Sequence, residues 1–272
     1  MNEQTERATQ YTHGHHESVL RSHRWRTAEN SAAYLLGALR PGLDLLDVGC
    51  GPGNITIDLA SRVNPGRVVG VDAAATIVDA ARVAASEQGV TGVEFEVADV
   101  YDLPFADATF DVVHAHQVLQ HLSDPIAALG QMRRVCRADG LVGARDGDYE
   151  AMTWYPQNAG IARWLALYRA VARGNRGEPD AGRFLLRWAH EAGFSEVTPS
   201  ASVWCFATPA DRAWWGGLWA DRVTVSALGD QIVERSLASR AELDEIATAW
   251  RRWADDPDGW FAVLHGEIVC RP

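Results

Sequence analysis

From Leu43 to about Asp148 the chain alternates short apolar runs with stretches of helical periodicity. Residues 43–48 (LDLLDV) and 67–72 (RVVGVD) read as buried strands, since short Leu- and Val-rich runs fit a sheet interior. Residues 93–97 (VEFEV) alternate as a half-exposed strand does. Phe110–Ala115 predicts a fourth strand, and Gly140–Ala144 the beginning of a fifth. Between these, Ile55, Leu59 and Val63 recur at helical spacing, and an Ala-rich run from Ala74 to Glu87 favours helix. Gly89 is placed to end that helix as a C-cap, and Ile126–Val135 predicts a further helix. Strand–helix alternation needs crossover connections, which implies a parallel sheet covered on both faces, an α/β fold.

On either side of this unit the pattern changes. Two helices, Glu17–His23 and Thr27–Leu39, are predicted ahead of it, closed off by Pro41-Gly42. Beyond it, Ala159–Arg173 and Gly182–Ala192 predict helices and Phe194–Ala207 one long extended stretch. A helical region from Pro209 to about Ala254 and a last strand, Trp260–Cys270, complete the chain. The expected organisation is therefore a helical arm over 1–40, an α/β core over 41–150, and a third part over 151–272. That last part completes the sheet and carries a helical cap, all within one domain.

Composition narrows the function. The formal net charge of −11 disfavours phosphate backbones and anionic membranes, whose recognition needs clustered Lys and Arg. Nucleic acid is thus not the expected partner. The four cysteines, Cys50, Cys136, Cys205 and Cys270, form no CxxC pair, which fits neither a zinc ribbon nor a disulfide framework and suggests a cytoplasmic protein. The first residues lack the apolar stretch of a signal peptide, and no run is long enough to span a bilayer. Of eleven tryptophans, only Trp25 precedes residue 150, so aromatic mass concentrates in the C-terminal part.

The most informative segment is DVGCGPGN at 47–54, a strand running through glycines into a helix. Glycines admit positive φ and let a ligand touch the backbone, and a helix N-terminus offers unpaired N–H groups. Such a turn accepts a carboxylate, a ribose or a phosphate. The spacing is GxGxG (Gly49, Gly51, Gly53) rather than the GxGxxG of dinucleotide sites, and Pro52 removes one donor. Asp72 ends the second strand at the distance where an acid grips ribose hydroxyls, and Asp99 follows the third strand. Carboxylates there favour a cationic ligand and disfavour a pyrophosphate.

With these residues in place, the sequence resembles the class I S-adenosylmethionine-dependent methyltransferases, and among them the ubiquinone/menaquinone-type small-molecule group. The matching segments are LLDVGCGPGN (45–54), VVGVDAAATIVDAAR (68–82), ADVYDLPFADATFDVV (98–113) and HQVLQHLSDP (116–125). The resemblance implies a Rossmann-like, doubly wound seven-stranded sheet, mostly parallel with its last strand antiparallel. It implies S-adenosylmethionine as cofactor and S-adenosylhomocysteine as product. Gly49, Cys50, Gly51 and Gly53 would pass beneath the methionine and ribose. Asp72 would hold the ribose hydroxyls, Ala73 would flank the adenine, and Asp99 with Val100 would read its edge. His116, Gln117 and His121 would lie towards the methionine end. Tyr11 and Arg26, from the leading helices, are candidates to cover the cofactor, with Arg26 able to pair with the methionine carboxylate.

Methyl transfer asks the protein for position, desolvation and, for some acceptors, a base. His13, His15 and His16 in the arm and His114, His116 and His121 near the fourth strand are the histidine clusters. His16 is the candidate base; no metal site is expected, because no acid or Cys completes a metal-ligand spacing. Asp146, Asp148 and Tyr149 are expected on the substrate side of the fifth strand. Trp164, Trp188, Trp250 and Trp253 are expected to pack as core, while Trp214, Trp215 and Trp219 crowd one helix enough to line a pocket for a flat apolar molecule. The reading is methyl transfer to a small apolar or aromatic metabolite, with the assembly, homodimer included, left open. The alternatives are a cyclisation or rearrangement on the same fold and cofactor, and a non-catalytic cofactor-binding protein.

Overall fold

The computed structural model describes residues 25–272. The predicted alternation is present. Strands β1 (Leu45–Val48), β2 (Val68–Asp72), β3 (Val93–Val97), β4 (Phe110–His116) and β5 (Cys136–Gly147) pair in parallel, in the spatial order β3-β2-β1-β4-β5. Their helical crossovers begin with α3 (Asn54–Val63) and α4 (Ala75–Glu87), then α5 (Pro125–Val135). All four residues of β1 are buried, as a central parallel strand requires. Gly89 follows α4 at φ +64°, the left-handed position that ends a helix.

The last strand, β8 (Trp260–Arg271), runs antiparallel to each of its partners. One of its edges pairs with β7 (Glu196–Phe206) along its whole length. The other pairs with the end of β5 and then with a short strand, β6 (Thr153–Tyr155). The sheet therefore has eight strands rather than seven. The extra one arises because β8 outruns β5, leaving ladder groups that residues 153–155 satisfy.

The helical predictions are refined in three places. The stretch predicted as one helix over Thr27–Leu39 is two short ones, α1 (Ala28–Ser31) and α2 (Ala33–Leu36), with Ala32 at φ −133° between them. That break sets Tyr34 and Leu35 against Gly143 of β5. After α6 (Ala159–Gly174), a 3₁₀ turn over Ala181–Phe184 leads into α7 (Leu185–Glu191). The region from Pro209 to Ala254 holds three helices, α8 (Pro209–Val225), α9 (Ala227–Glu234) and α10 (Arg240–Asp255), because Ser226 and Ser239 each cap a new start. Among the described residues no helix is long and apolar enough to cross a membrane.

The largest buried cluster joins α6, α8 and α10 to β7 and β8. Trp164, Trp250 and Trp253 are buried there as predicted, with Trp219. Indoles continue outward from it. Trp253, Trp250, Trp164, Trp219, Trp215, Trp214, Trp25 and Trp204 form an unbroken run whose successive ring centroids lie 4.3 to 5.9 Å apart. Trp188 stands apart, partly buried against the cluster between α5, α7 and the sheet.

Candidate functional site

A cleft of about 980 Å³ opens at the C-terminal ends of β1, β2, β3 and β4, where open α/β sheets bind ligands. Its first wall is the glycine turn. Gly49, Gly51 and Gly53 have φ of +67°, +55° and +85°, conformations that side chains disfavour. A Cβ on Gly49 would come within 2.4 Å of Val118. Gly49, Cys50 and Gly51 line the cleft. Gly53 does not: it enters α3 in left-handed geometry, and its Cα faces the Phe95 ring and Ala81, so its part is in the packing beneath the turn.

Asp72 and Asp99, the acids expected to face a ligand, both line the cleft. Asp72 lines the cleft while its Oδ2 accepts from the Gly51 N–H at 3.1 Å and its Oδ1 from the Ala74 N–H at 3.0 Å. The residue thus clamps the turn and presents its remaining lone pairs. Ala73 lies beside it. Asp99 is exposed on the cleft wall next to Val100 and accepts from the Tyr101 N–H at 2.9 Å. Beneath the turn, buried Asp47 accepts from the Thr56 hydroxyl at 2.5 Å and meets His114 Nδ1 at 2.7 Å. His114 is therefore a support of the turn, away from the cleft wall. Asp47, Asp72, Asp99 and Asp102 are the acids on the wall, and all four lie in this half.

At the end of β4 the pattern changes to neutral and cationic groups. His116 is buried and lines the cleft, packed against Trp204 and His265, whose own ring centroids lie 4.3 Å apart. Gln117, at φ +54°, accepts from Arg26 at 2.6 Å through Oε1 and meets His265 Nε2 at 2.9 Å through Nε2. His265 Nδ1 donates to the Val263 carbonyl at 3.1 Å, which makes its Nε2 the acceptor from Gln117. His121 lies in a 3₁₀ turn over Leu119–His121. Gln120 Oε1 accepts from the Gly147 N–H, so its amide N–H₂ donates to His121 Nε2 at 3.1 Å. Burial, helped by Arg26, pushes the His121 pKa down to about 3 and keeps it neutral.

The opposite wall is aromatic. Trp25, Trp204, Trp214, Trp215 and Trp219 line it, with Tyr149 stacked on Tyr168 at 4.1 Å. Buried Arg222 lies 5.0 Å from the Trp219 ring centroid and shares this wall. Trp214, Trp215 and Trp219 are therefore pocket residues, the second and third of them buried core as well. Of the three residues expected after β5, Tyr149 alone reaches the cleft. Asp146 is buried and accepts from the Gln120 N–H at 3.0 Å, and Asp148 pairs with Arg183. Tyr11, His13, His15 and His16 lie outside the described residues. Among the described residues no three metal-ligating side chains gather.

Several contributors escaped the sequence, Arg222 on α8 among them. His265 and Trp204 reach the site from β8 and β7, and Arg145, 4.8 Å from the Trp204 ring centroid, sits behind it in a buried pair with Glu267. Only their place on long strands signals them, and that does not distinguish a core position from a site position.

The donor set fits S-adenosylmethionine. A carboxylate ends β2 and another stands two residues past β3, chemistry that suits a ribose diol and an exocyclic amine; four acids suit a sulfonium cation, and the turn backbone lines the cleft. A family model described as a methyltransferase domain matches residues 39–193. An uncharacterised methyltransferase of Schizosaccharomyces pombe is 34% identical, covering 96% of each chain. The probable methyltransferase ltbC of Aspergillus luteorubrus is 28% identical, covering 98% of each. The Haemonchus contortus phosphoethanolamine N-methyltransferase 2, solved with phosphomonomethylethanolamine and S-adenosylhomocysteine, shares the fold. Its TM-score is 0.58 at 17% identity, over 90% of this chain and 52% of that one.

Proposed function

Starting from the chain's membership of the class I S-adenosylmethionine-dependent methyltransferases, we propose that it methylates a small, apolar or aromatic metabolite by in-line displacement. The observation that carries this reading is one continuous cleft with acids and glycines at one end and five indoles at the other. Bound S-adenosylmethionine supplies a methyl group already activated on sulfur. Asp72 would accept from the ribose hydroxyls, Ala73 would pack on the adenine, and Asp99 with the Val100 N–H would read the adenine edge. The Gly49–Gly51 backbone would lie under the ribose and methionine, with Arg26, Gln117 and His121 at the amino-acid end. Gln117 is fixed between Arg26 and His265, so its orientation does not have to be selected when ligand arrives. The indole wall holds a flat body and excludes water from the sulfonium, which strengthens electrostatic steering there.

The test is product analysis. The full chain is incubated with S-adenosylmethionine and a panel of phenols, aryl amines and conjugated enols, and reactions are read by mass spectrometry. A product heavier by one methyl, matched by S-adenosylhomocysteine, is expected. Cofactor binding without S-adenosylhomocysteine formation across the panel refutes transfer, and a product of unchanged mass points to a rearrangement instead.

A further inference from the structure

His116 closes β4, and it is 5% exposed. It lines the cleft where the glycine turn gives way to the indoles. Both of its ring nitrogens are buried and neither has a hydrogen-bond partner. Buried polar atoms are almost always paired, so an unpaired imidazole on a cleft wall marks a place where a ligand completes the bonding. The protein's ring contacts to it are with Trp204, tilted at 5.7 Å, and His265, nearly parallel at 6.2 Å. Neither contact uses its nitrogens.

The surroundings decide what that ligand group is. Arg26 lines the cleft nearby, Arg145 lies behind Trp204 from β5, and His265 faces the ring from β8. His114 sits two residues back on β4, and Glu267 of β8 is the acid paired with Arg145. The acids of the cleft wall are all in the other half. Burial first, then Arg145, Arg26, His265 and His114, holds the imidazole well below its ordinary range, so it is neutral. A neutral imidazole in a positive field is a poor sink for a proton but a good N–H donor to an oxygen that carries negative charge.

We propose that His116 binds the methyl acceptor through an acidic hydroxyl, phenolic or enolic, held as its oxyanion on a planar body that lies against the indoles. This rests on the methyl-transfer reading above. The hydroxyl proton leaves to solvent as the acceptor binds. In the transfer an oxygen lone pair forms the O–CH₃ bond while the electron pair of the S–CH₃ bond passes to sulfur, so oxyanion and sulfonium charges cancel. His116 donates its N–H to the acceptor oxygen throughout and takes no proton. The family resemblance gives His116 to the methionine end; here its partner is the acceptor.

4-Nitrophenol is the probe, because its neutral and ionised forms absorb differently. The full chain, saturated with S-adenosylhomocysteine, is titrated with pH in its presence. Bound nitrophenol is expected to ionise about one pH unit below the free molecule, a tenfold larger ionisation constant. His116→Phe keeps a flat ring and removes the donor. It is expected to abolish the shift while S-adenosylhomocysteine affinity, by calorimetry, stays within about twofold. His116→Asn retains a donor and is expected to keep part of the shift, which decides the matter if the Phe variant does not fold. The assignment is overturned by a bound probe that titrates at or above its free value, or by a probe that does not bind the loaded protein. It is equally overturned by a His116→Phe affinity for S-adenosylhomocysteine reduced about tenfold. Failure of the unaltered protein to bind S-adenosylhomocysteine strikes the methyl-transfer reading itself.

Discussion

Asp72→Asn tests the cofactor end of the cleft with the smallest change in shape. The carboxylate takes the Gly51 N–H on one oxygen and the Ala74 N–H on the other. An asparagine amide has one oxygen, so whichever way it turns, one of those N–H groups faces an N–H₂. The same loss applies to the ribose, where two hydroxyls meet one acceptor instead of two. A hydrogen bond to a charged group contributes about 1.5–3 kcal/mol, and one such bond is lost on the ligand side. At about 1.4 kcal/mol per decade, S-adenosylhomocysteine should bind roughly 10- to 150-fold more weakly. The site is partly solvated, so the turn-side loss should lower Tm by only about 2–4 °C. Calorimetry and a thermal melt on the same preparation read both numbers. A Kd within about threefold of wild type, with the fold intact, refutes the ribose assignment. A lowered Tm with unchanged Kd would leave Asp72 as a clamp on the turn and nothing more.

Three further outcomes are expected. Gly49→Ala places a side chain at φ +67° and against Val118, so it should cost about 1–2 kcal/mol from backbone conformation alone, with a lower melt and weaker cofactor binding; an unchanged melt contradicts the turn geometry. Trp215→Ala removes a buried ring that stacks on Phe206 at 4.2 Å and also lines the cleft, so stability should fall by about 3–5 kcal/mol and acceptor KM should rise while cofactor affinity holds. A stable variant with unaltered KM removes Trp215 from both roles. Burial raises the Asp146 pKa to about 7, so the folded state holds a proton there that the unfolded state has lost, and this residue's contribution to stability declines as pH rises from the ordinary carboxylate range through about 7. The Tm of Asp146→Asn relative to wild type should therefore rise as pH goes from about 5 to 7, the buried histidines being common to both, and a difference that does not change with pH rejects the shift.

How much of this was legible in the sequence follows from the range of each interaction. The sheet core was, because β1, β2 and β4 carry their burial in local apolar runs, β3 in local alternation, and α3 and α4 in local periodicity. The glycine turn and Asp72 were too, since their chemistry is packed into 26 consecutive residues from Asp47. Gly53 was given to the ligand, yet its neighbours are Phe95 and Ala81, which no local pattern reveals. The Gln117–His265 contact spans 148 positions and depends on β8 running antiparallel beside β5. Strand β6 exists because β8 is offset from β5 and runs on past Gly147, a relation between two distant segments. The split at Ala32 reflects the packing of Tyr34 on Gly143, where tertiary contact overrides helix propensity.

The unbroken run of indoles makes the molecule its own optical probe. Excitation absorbed at Trp253, on the far helix, passes along rings never more than 5.9 Å from the next and reaches Trp215, Trp214, Trp25 and Trp204, which line the cleft. A quenching acceptor seated against any one of those rings drains emission from the whole series. Intrinsic fluorescence should then fall by far more than one tryptophan's share when a single conjugated ligand binds, so acceptors can be ranked by titration before any of them is shown to turn over.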